Sequence, residues 1–357
     1  MHPQISITKT TCPKEKPSDE TKLGFGQTFT DHMFIMDYEE GSGWINPRII
    51  PYGPLMLDPS TMVFHYGQAI FEGLKAYRTA QGTINLFRPI ENMNRINKSN
   101  ERMVIPQIDT EFCIECLETL VKIEQDWVPS APETSLYIRP FIISTDPYLG
   151  VRPSRTYQFI IILSPSGAYY PEGLNPVSIY VENEYVRAVK GGTGFAKTPG
   201  NYASSLASQA KAYKAGYVQV LWLDGIERKY VEEVGSMNVF FVLDGKLITP
   251  SLCGSTLPGI TRKTVIELAR SWGLDVEERL ISIEEIFSAA KEGRVSEVFG
   301  SGTAAVISPV GLLMWNDESV TFNNNIIGPI SQKLYNTITG IQYGRLPDDF
   351  GWIVKIK

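Results

Sequence analysis

GGTGFAKTPGNY, residues 191–202, is the stretch on which the interpretation of this chain depends. It differs by one residue from the phosphate-binding loop G-x-x-x-x-G-K-[ST], because Ala196 stands where that loop has its second glycine. In such a loop the lysine opens a helix, and backbone N–H groups surround the phosphates. Here Pro199 and Gly200 follow shortly after Lys197. We therefore expect the helix to begin only after Lys197, which disfavours a nucleotide-binding loop.

A second hypothesis is that Lys197 forms a covalent imine with a carbonyl cofactor. Such a lysine must be partly desolvated, and a neighbouring tyrosine can bond to a cofactor oxygen. Tyr202 follows five residues later. The nucleotide-binding alternative also needs a magnesium ligand, and Asp224 after VLWL is the candidate, but the adjacent Gly225 predicts a hairpin turn. A solvated loop lysine without chemistry stays open on these residues alone.

The composition is that of a globular enzyme. The chain has 357 residues, 43% of them hydrophobic and 20% charged, with a net charge of −6. This length allows two domains, and the acidic balance argues against a nucleic-acid partner. Residues 1–22 lack the apolar core of a signal peptide, and the aliphatic run 159–163 is too short to cross a membrane. We expect a cytoplasmic protein with no membrane association.

Cysteine usage predicts neither a disulfide framework nor a metal site. The chain has four cysteines and three histidines. Cys113 and Cys116 form a C-x-x-C, but with Leu117, Leu120 and Val121 they follow the helical period. We expect them to be buried core residues of an amphipathic helix rather than zinc or redox ligands.

Strands and helices mix in both halves, which predicts an α+β protein of two domains. We expect a flexible N-terminal tail at 1–22 and a small domain at 23–164. An interdomain linker at 165–176 is rich in proline and glycine, and a large domain at 177–357 carries Lys197.

Local signals predict several elements of these domains. Predicted helices begin at Pro89, at about Asn201 (running to Ala215), near Gly259 and after the capping box of Ser282 and Glu285. Tight turns are expected at residues 80–82, 224–225 and 244–245.

Two small-residue turns could bind an anion. In LPGITR the first helical residues, Ile260 and Thr261, would present free N–H groups. In FGSGTAAV a hydroxyl stands at Thr303. Each signal is weak alone, but with a loop lysine they favour a phosphorylated small-molecule cofactor.

The chain resembles the branched-chain-amino-acid aminotransferases, which use pyridoxal 5′-phosphate (PLP) and have the two-domain D-amino-acid-aminotransferase-like fold. The resemblance spans nearly the whole chain and rests on the ordered blocks HYGQAIFEGLKAYR, LFRPIENMNR, SLYIRPFI, GGTGFAKTPGNY, VLWLDG, EEVGSMNVFFV, LPGITR and EGRVSEVFGSGTA. It implies transamination of L-leucine, L-isoleucine and L-valine with 2-oxoglutarate in two half-reactions, with PLP at the domain interface. It also implies a homodimer at minimum.

The resemblance assigns cofactor roles by position. It implies that Lys197 is the Schiff-base lysine and moves the proton during transfer. It pairs Glu233 with the pyridine nitrogen and Tyr202 with the phenolic oxygen. The phosphate would be bound by the Arg88 side chain and by a cup comprising Ile260, Thr261 and Thr303. Ser236 would lie near the cofactor.

The same resemblance implies an apolar pocket for the branched side chain of the substrate, and a partner subunit would supply part of this pocket. Its predicted members are Phe25, Tyr66, Phe71, Tyr137, Val151 and Tyr169. The α-carboxylate would lie by Thr303, Ala304 and the Tyr66 hydroxyl. Arg139 is the candidate for the distal carboxylate of glutamate, because a site for two kinds of side chain needs a cation as well as apolar walls.

One departure and several alternatives accompany the resemblance. Mitochondrial-type animal relatives carry a C-x-x-C after the GSGTA loop, where this chain has Ala305 and Ser308, so no thiol switch is expected. D-amino-acid aminotransferases and aminodeoxychorismate lyases share the fold but are disfavoured by FEGLKAYR, SLYIRP and GSMNVF. A non-catalytic binding protein is disfavoured by Lys197, Tyr202 and Glu233. Glu232 is expected to be a solvated strand residue.

Overall fold

A computed structural model describes residues 2–167 and 174–356. The chain divides into two compact units. Unit 1 comprises residues 1–169, 196–199 and 340–357, and unit 2 comprises residues 170–195 and 200–339. The division differs from the predicted domains in two places: residues 196–199, with Lys197, and the C-terminal residues from 340 belong to unit 1. Half of the predicted linker, residues 168–173, lies outside the described residues.

The strands of the described residues are β1 Ser6–Ile7, β2 His32–Glu39, β3 Gly43–Pro51, β4 Ala69–Phe71, β5 Leu74–Arg78, β6 Ile84–Phe87, β7 Ser135–Ser144, β8 Thr156–Ser166, β9 Val177–Val181, β10 Gln219–Leu223, β11 Val231–Val234, β12 Met237–Leu243, β13 Lys246–Pro250, β14 Val276–Arg279, β15 Val295–Gly302, β16 Val306–Trp315, β17 Glu318–Thr321 and β18 Ile353–Ile356.

The α-helices are α1 Met62–Tyr66, α2 Pro89–Met103, α3 Thr110–Ile123, α4 Pro199–Ala203, α5 Leu206–Lys214, α6 Ile260–Ser271, α7 Ile283–Lys291 and α8 Pro329–Gln342. Short 3-10 turns are formed by Glu20–Lys22, Gln125–Trp127 and Asn323–Asn325.

Unit 1 is built on a mixed sheet in the order β1-β3-β2-β8-β7-β5-β6-β18, and β4 adds to β7. Strand β8 shows why the sheet has two apolar faces. Phe159, Ile161 and Leu163 pack with α2 and α3, while Ile160 joins a second cluster on the other face with Met33. This alternation is the period-2 pattern of a strand that is buried on both sides. Helix α3 contributes Cys113 and Cys116 to the first cluster, as predicted.

Unit 2 contains a closed ring of strands. Its sheet runs β11-β10-β9-β16-β15-β12-β13-β14, β17 pairs with β16, and β11 also pairs with β12. That last pairing joins β11, β10, β9, β16, β15 and β12 into a barrel, whose interior is filled by aliphatic and aromatic side chains such as Phe241 and Leu221. The predicted tight turn at Asp244 and Gly245 joins β12 to β13 with positive φ at both residues.

Two local predictions need correction. The predicted helix from Asn201 to Ala215 is divided into α4 and α5, because the hydroxyls of Ser204 and Ser205 bond to the carbonyls of Asn201 and Tyr202 at 3.0 and 2.7 Å. Such local bonds compete with helix continuation.

The N-terminal segment, predicted to be a flexible tail, makes specific contacts. β1 pairs in parallel with β3, the Thr10 amide donates to His32 Nε2 at 2.9 Å, and Glu20 accepts from the Ser130 and Ala131 amides at 2.8 Å each. These are polar contacts to a sheet edge and a loop. They leave no apolar pattern in the sequence, which is why the sequence predicted a tail instead.

Candidate active site

The glycine-rich loop is fixed by side-chain bonds rather than by a helix. Helix α4 begins at Pro199, so Lys197 precedes it, as predicted. In unit 2 the Asn201 side chain accepts from the Thr193 hydroxyl at 2.7 Å and donates to the Thr193 carbonyl at 2.8 Å. A Cβ on Gly194 would lie 2.0 Å from the Ser255 carbonyl oxygen, so only glycine fits there. The lysine therefore does not open a helix, as the lysine of a nucleotide-binding loop does.

Asp224, the candidate magnesium ligand of a nucleotide site, has another role in the structure. Its carboxylate accepts four backbone N–H bonds within its own turn, from Ile226, Glu227, Lys229 and Tyr230 at 2.8–3.1 Å. Asp224 is therefore a turn residue. The described residues contain no cluster of three His, Cys, Asp or Glu side chains suited to a metal ion.

Lys197 is held by backbone bonds in unit 1. Its amide donates to Ser99 Oγ on α2 at 3.0 Å, and its carbonyl accepts from the Phe71 amide on β4 at 3.0 Å. The next residue, Thr198, bonds to the Ala69 carbonyl at 2.8 Å. Lys197 Nζ lies 4.8 Å from the centroid of the Phe71 ring. The lysine is thus half-buried against an aromatic face on a backbone fixed to a strand and a helix.

A buried ion pair lies beside this lysine. Glu72 is fully buried, and its two oxygens accept from Arg95 Nε and Nη2 at 2.6 and 3.0 Å. Asn92 Nδ2 adds a bond at 2.8 Å. Burial acts to raise the pKa of Glu72, but the charges of Arg95 and Lys197 and the hydrogen bonds outweigh it and hold the pKa below its usual value. An ionised carboxylate therefore contributes negative potential at Lys197.

The predicted substrate residues of unit 1 form a connected aromatic group. The rings of Phe25 and Tyr137 meet edge-on with centroids 4.8 Å apart. Arg139 Nη2 donates to the Tyr137 hydroxyl at 3.1 Å, and its guanidinium carbon lies 4.9 Å from the centroid of Phe71. Because Phe71 also faces Lys197, one ring joins the lysine to the arginine. The structure thus brings together four of the predicted pocket residues with the catalytic candidate.

Arg139 has one guanidinium nitrogen without an acceptor in the described part of the chain. Its Nε is buried without a hydrogen-bond partner there, and no described carboxylate forms an ion pair with it. A buried charged donor without an acceptor is costly unless a ligand supplies one. This is the chemistry expected of a residue that binds the distal carboxylate of a substrate.

Two further predicted residues are exposed. Tyr66, at the end of α1, donates its hydroxyl to the carbonyl of Leu149, so α1 is bonded to the loop that carries Val151. The Val151 side chain is 85% exposed. Neither side chain is enclosed by unit 1 alone. Tyr169 lies outside the described residues.

Arg88 occupies an unusual backbone position. It is the N-cap of α2 with φ 51° and ψ 41°, a left-handed conformation that is uncommon for a non-glycine residue. Its guanidinium bonds to Glu91 and lies over the ring of Trp352, 4.9 Å from the centroid. The side chain is buried and directed by these contacts.

The second group of predicted residues belongs to unit 2, with Glu233 on β11. Glu233 is buried; Oε1 accepts from the Leu257 amide at 2.7 Å, and Oε2 lies 3.2 Å from Arg187 Nε. Arg187 Nη2 is anchored to the carbonyls of Gly194 and Ser255. A carboxylate held in this way by a cation and an amide is suited to accept a hydrogen bond from a protonated ring nitrogen.

Glu232 is also buried, which corrects the prediction of a solvated strand residue. It accepts from Ser255 Oγ, and its Oε2 has no hydrogen-bond partner among the described residues. Burial raises the pKa of Glu232 to about 7, although the Ser255 bond and the charge of Arg187 oppose the shift. Pairing with β10 and β12 satisfies both edges of β11, and Ser255 covers the face that carries the Glu232 side chain.

The remaining predicted residues of unit 2 lie at one end of the barrel. β12 runs antiparallel to β15, with Asn238 opposite Ser301. The turn before β12, with Ser236, and the turn after β15, with Thr303 and Ala304, therefore meet at the same end. Asn238 Nδ2 donates to the Leu257 carbonyl at 2.9 Å, which links this end to the segment before α6.

Helix α6 begins there, with Gly259 as its N-cap and no side-chain cap. A Cβ on Gly259 would meet Asn238 Oδ1 at 2.0 Å, which explains the glycine. The amides of Ile260 and Thr261 have no acceptor inside the helix and carry the positive end of its dipole. Tyr202 is half-buried on α4.

Comparison with known proteins identifies the family. The family model described as amino-transferase class IV matches residues 69–313. The chain belongs to the class IV aminotransferase family. The family and the α+β fold class predicted from the sequence are confirmed.

Individual relatives are similar over their full lengths. The chain is 58% identical over 353 residues to branched-chain-amino-acid aminotransferase 2 of Bacillus subtilis, covering 99% of this chain and 96% of that protein. It is 58% identical over 357 residues to branched-chain-amino-acid transaminase 1 of the same organism, covering 100% of each. The solved branched-chain amino acid aminotransferase of Escherichia coli matches with a TM-score of 0.77 at 29% identity, covering 91% of this chain and 99% of that one.

Another solved structure carries a form of the cofactor that the sequence predicts. It is a branched-chain amino acid aminotransferase of T.th. with pyridoxamine 5′-phosphate. The present chain matches that structure with a TM-score of 0.74 at 26% identity, and the match covers 94% of this chain and 99% of that one.

Sequence reasoning missed several residues that contact the predicted site. Arg187 pairs with Glu233, and Trp352 lies against Arg88. Glu72, which is paired with Arg95, acts on Lys197 through its charge. The signal that could have found Arg187, Glu72 and Arg95 is a charged residue inside a matched block, as in FEGLKAYR and ENMNR, or directly before the glycine-rich loop. Trp352 carries no such signal.

Proposed function

We propose that this protein exchanges the amino group of L-leucine, L-isoleucine or L-valine with 2-oxoglutarate, using PLP as cofactor and Lys197 as the catalytic residue. Full-length relatives at 58% identity carry the branched-chain aminotransferase name, and a neighbouring structure contains pyridoxamine 5′-phosphate. The observation from this chain that carries the proposal is Lys197 itself, fixed on β4 and α2 and packed on Phe71.

The residues present fit PLP by their chemistry. A buried carboxylate at Glu233, paired with Arg187, suits a protonated pyridine nitrogen, and a half-buried lysine amine suits a carbonyl carbon. Arg88 and the first amides of α6 are donors of the kind that bind phosphate. When bound, PLP supplies a carbonyl group that takes up the amino group and a ring that withdraws electrons.

Each protein group has a defined task in this proposal. Lys197 Nζ takes the proton from the α-carbon of the amino acid and returns a proton later in the transfer. The Glu72 carboxylate contributes a negative charge beside that amine. Arg187 holds the Glu233 carboxylate in position for the protonated ring nitrogen.

Substrate selection rests on the aromatic group of unit 1. Phe25, Phe71 and Tyr137 offer apolar faces to a branched side chain, which has no hydrogen-bonding handle. Arg139 lies among them with an unpaired Nε, ready for the distal carboxylate of glutamate or 2-oxoglutarate. We propose that Thr303 and Ala304 bind the α-carboxylate of the substrate.

We infer a homodimer from the exposed apolar side chains of unit 1. Phe64 and Tyr66 on α1 and Leu149 and Val151 on the adjoining loop are exposed, as is Met56. Several large apolar side chains exposed in neighbouring segments are typical of a protein interface. The cytoplasmic location stays a prediction; within the described residues, no helix is long and apolar enough to cross a membrane.

The experiment that tests the function is an absorption spectrum of the purified protein before and after L-leucine is added. We expect a yellow protein whose visible band is lost with L-leucine and restored with 2-oxoglutarate. D-alanine in place of L-leucine should leave the band unchanged, which separates the D-amino-acid aminotransferases. A colourless protein that stays colourless with added PLP would overturn the proposal.

A further inference from the structure

The C-terminal strand contacts Arg88, the residue that is predicted to bind the cofactor phosphate. β18 pairs antiparallel with β6, and Ile353 lies opposite Phe87, the last residue of β6. The ladder continues one residue further, because the Arg88 amide donates to the Trp352 carbonyl at 2.7 Å. Arg88 is thus bonded through its backbone to a strand formed by the last residues of the chain.

This contact fixes a backbone conformation that Arg88 would not adopt alone. A non-glycine residue with φ 51° persists only where its surroundings determine it. Two backbone bonds do so: the bond to Trp352 and the bond from the Glu91 amide to the Arg88 carbonyl at 3.1 Å. The direction in which the arginine side chain leaves the backbone therefore depends on the C-terminal strand.

The side chain is directed by the same two residues. The guanidinium lies over the Trp352 ring at 4.9 Å, and Arg88 Nε donates to Glu91 Oε1 at 2.9 Å. The Trp352 ring is itself packed edge-on to Phe87 and stacked on Phe350. Arg88 is 5% and Trp352 7% exposed. A long flexible side chain is thus held in one arrangement, which removes an ordering cost from ligand binding.

We propose that Trp352 and Glu91 are positioning residues that hold Arg88 for the phosphate of the cofactor, so that the C-terminal strand is part of the cofactor site. The inference rests on the phosphate role of Arg88 in the proposed function. Trp352 acts through its ring and its carbonyl. Glu91 acts as an acceptor that orients the guanidinium, as carboxylates orient metal-binding histidines.

The test compares PLP with pyridoxal, which has the same ring and aldehyde without the phosphate. Dissociation constants for both are measured from the visible absorbance of the full-length protein and its variants. We expect Trp352→Leu to weaken PLP binding roughly tenfold and to leave pyridoxal binding within about twofold, because only the phosphate contact is misaligned. Trp352→Phe keeps an aromatic face and the backbone bond, so it should restore most of the PLP affinity.

Matched variants make each outcome decisive. Phe350→Leu removes a ring that stacks on Trp352 but is exposed on its other side, and we expect both constants to stay unchanged. Glu91→Gln, at a partly exposed position, should weaken the binding of PLP but not of pyridoxal. This variant tests the positioning role if Trp352→Leu does not fold.

Three results would count against the proposals, and they are distinguishable. Equal weakening of PLP and pyridoxal by Trp352→Leu would mean a general packing role. If Arg88→Met weakens the binding of PLP but not of pyridoxal, while Trp352→Leu and Glu91→Gln change neither, the positioning role is refuted. The phosphate role of Arg88 would then still hold. An unchanged ratio of the two constants in Arg88→Met would refute the phosphate role itself.

Discussion

Glu232 should make the protein less stable as the pH rises through neutrality. The carboxylate is 4% exposed with one oxygen unpartnered, and burial raises its pKa from 4.5 to about 7. The groups that act on it are Ser255, Arg187, Glu233 and Asp224. Because the folded pKa lies above the unfolded one, the folded state binds more protons between these values. Stability is therefore fully present below pH 4.5 and is lost as the pH rises through 7.

The magnitude follows from the size of the shift. A difference of 2.5 pKa units, from 4.5 to about 7, corresponds at 1.36 kcal/mol each to about 3 kcal/mol, and partial screening reduces this to about 2–3 kcal/mol. Glu232→Gln removes the titration but keeps the shape and the bond to Ser255. We expect the variant to match the parent protein near pH 5 and to exceed its unfolding free energy by about 2–3 kcal/mol at pH 9.

The assay is urea unfolding at fixed protein and PLP concentrations from pH 5 to 9, since ligand and assembly shift apparent stability. Infrared spectroscopy adds a direct measure: a protonated-carboxyl band that titrates near pH 7 in the parent protein and is missing in Glu232→Gln. Glu318→Gln is the control, because that exposed residue is paired with Lys291 on the surface and should change stability by less than about 1 kcal/mol at both pH values. Parallel pH curves for Glu232→Gln and the parent protein would refute the reasoning.

Four further outcomes are expected. Lys197→Ala should lower transamination by more than about 10³-fold without loss of the far-UV circular dichroism spectrum, since a general base supplies this much; a smaller loss would point to another base. Arg139→Met should raise KM for glutamate roughly 10- to 100-fold and leave that for L-leucine nearly unchanged, measured by paired steady-state assays; equal changes would contradict the distal-carboxylate role. Burial lowers the pKa of Lys75 from 10.5 to about 8, so the buried charge lowers stability below pH 8, and this cost disappears by pH 10.5. Lys75→Met should therefore raise the free energy of unfolding by about 3 kcal/mol at pH 7 and leave it unchanged at pH 10.5, measured by urea unfolding. Val151→Asp should shift the protein from dimer to monomer in analytical ultracentrifugation, and an unchanged sedimentation coefficient would contradict the proposed interface.

Local signals predicted much of the fold because they act within a few residues. Pro89 begins α2, and Ser282 caps α7 by accepting from the Glu285 amide at 3.1 Å, as expected. Pro199 starts a helix only after Lys197, which separated the lysine from a nucleotide-binding loop on local grounds alone. These features depend on backbone dihedrals and nearby donors, and both can be read from a short window.

Features that depend on distant strands were not predicted. Alternation along β11 suggested that one of Glu232 and Glu233 faces solvent, but the closed barrel and Ser255 cover both sides. Trp352 reaches Arg88 only because β18 returns to the edge of β6. No short stretch of the sequence contains either relation, since each is created when the sheet order is set.

The surroundings of Arg139 show how one site can accept two kinds of side chain. The guanidinium lies over the faces of Phe71 and Tyr137 at 4.9 and 5.3 Å and donates to the Tyr137 hydroxyl. These contacts compensate part of the cost of a buried charge when the substrate side chain is apolar. They also leave Nε without a described partner, so in the proposed function an acidic side chain would gain a bond that leucine does not need. Under the proposed function, a cation that lies on aromatic faces would tolerate branched substrates and also bind carboxylates. A protein side chain that accepted a hydrogen bond from Arg139 Nε would leave this nitrogen unavailable to the carboxylate of the substrate.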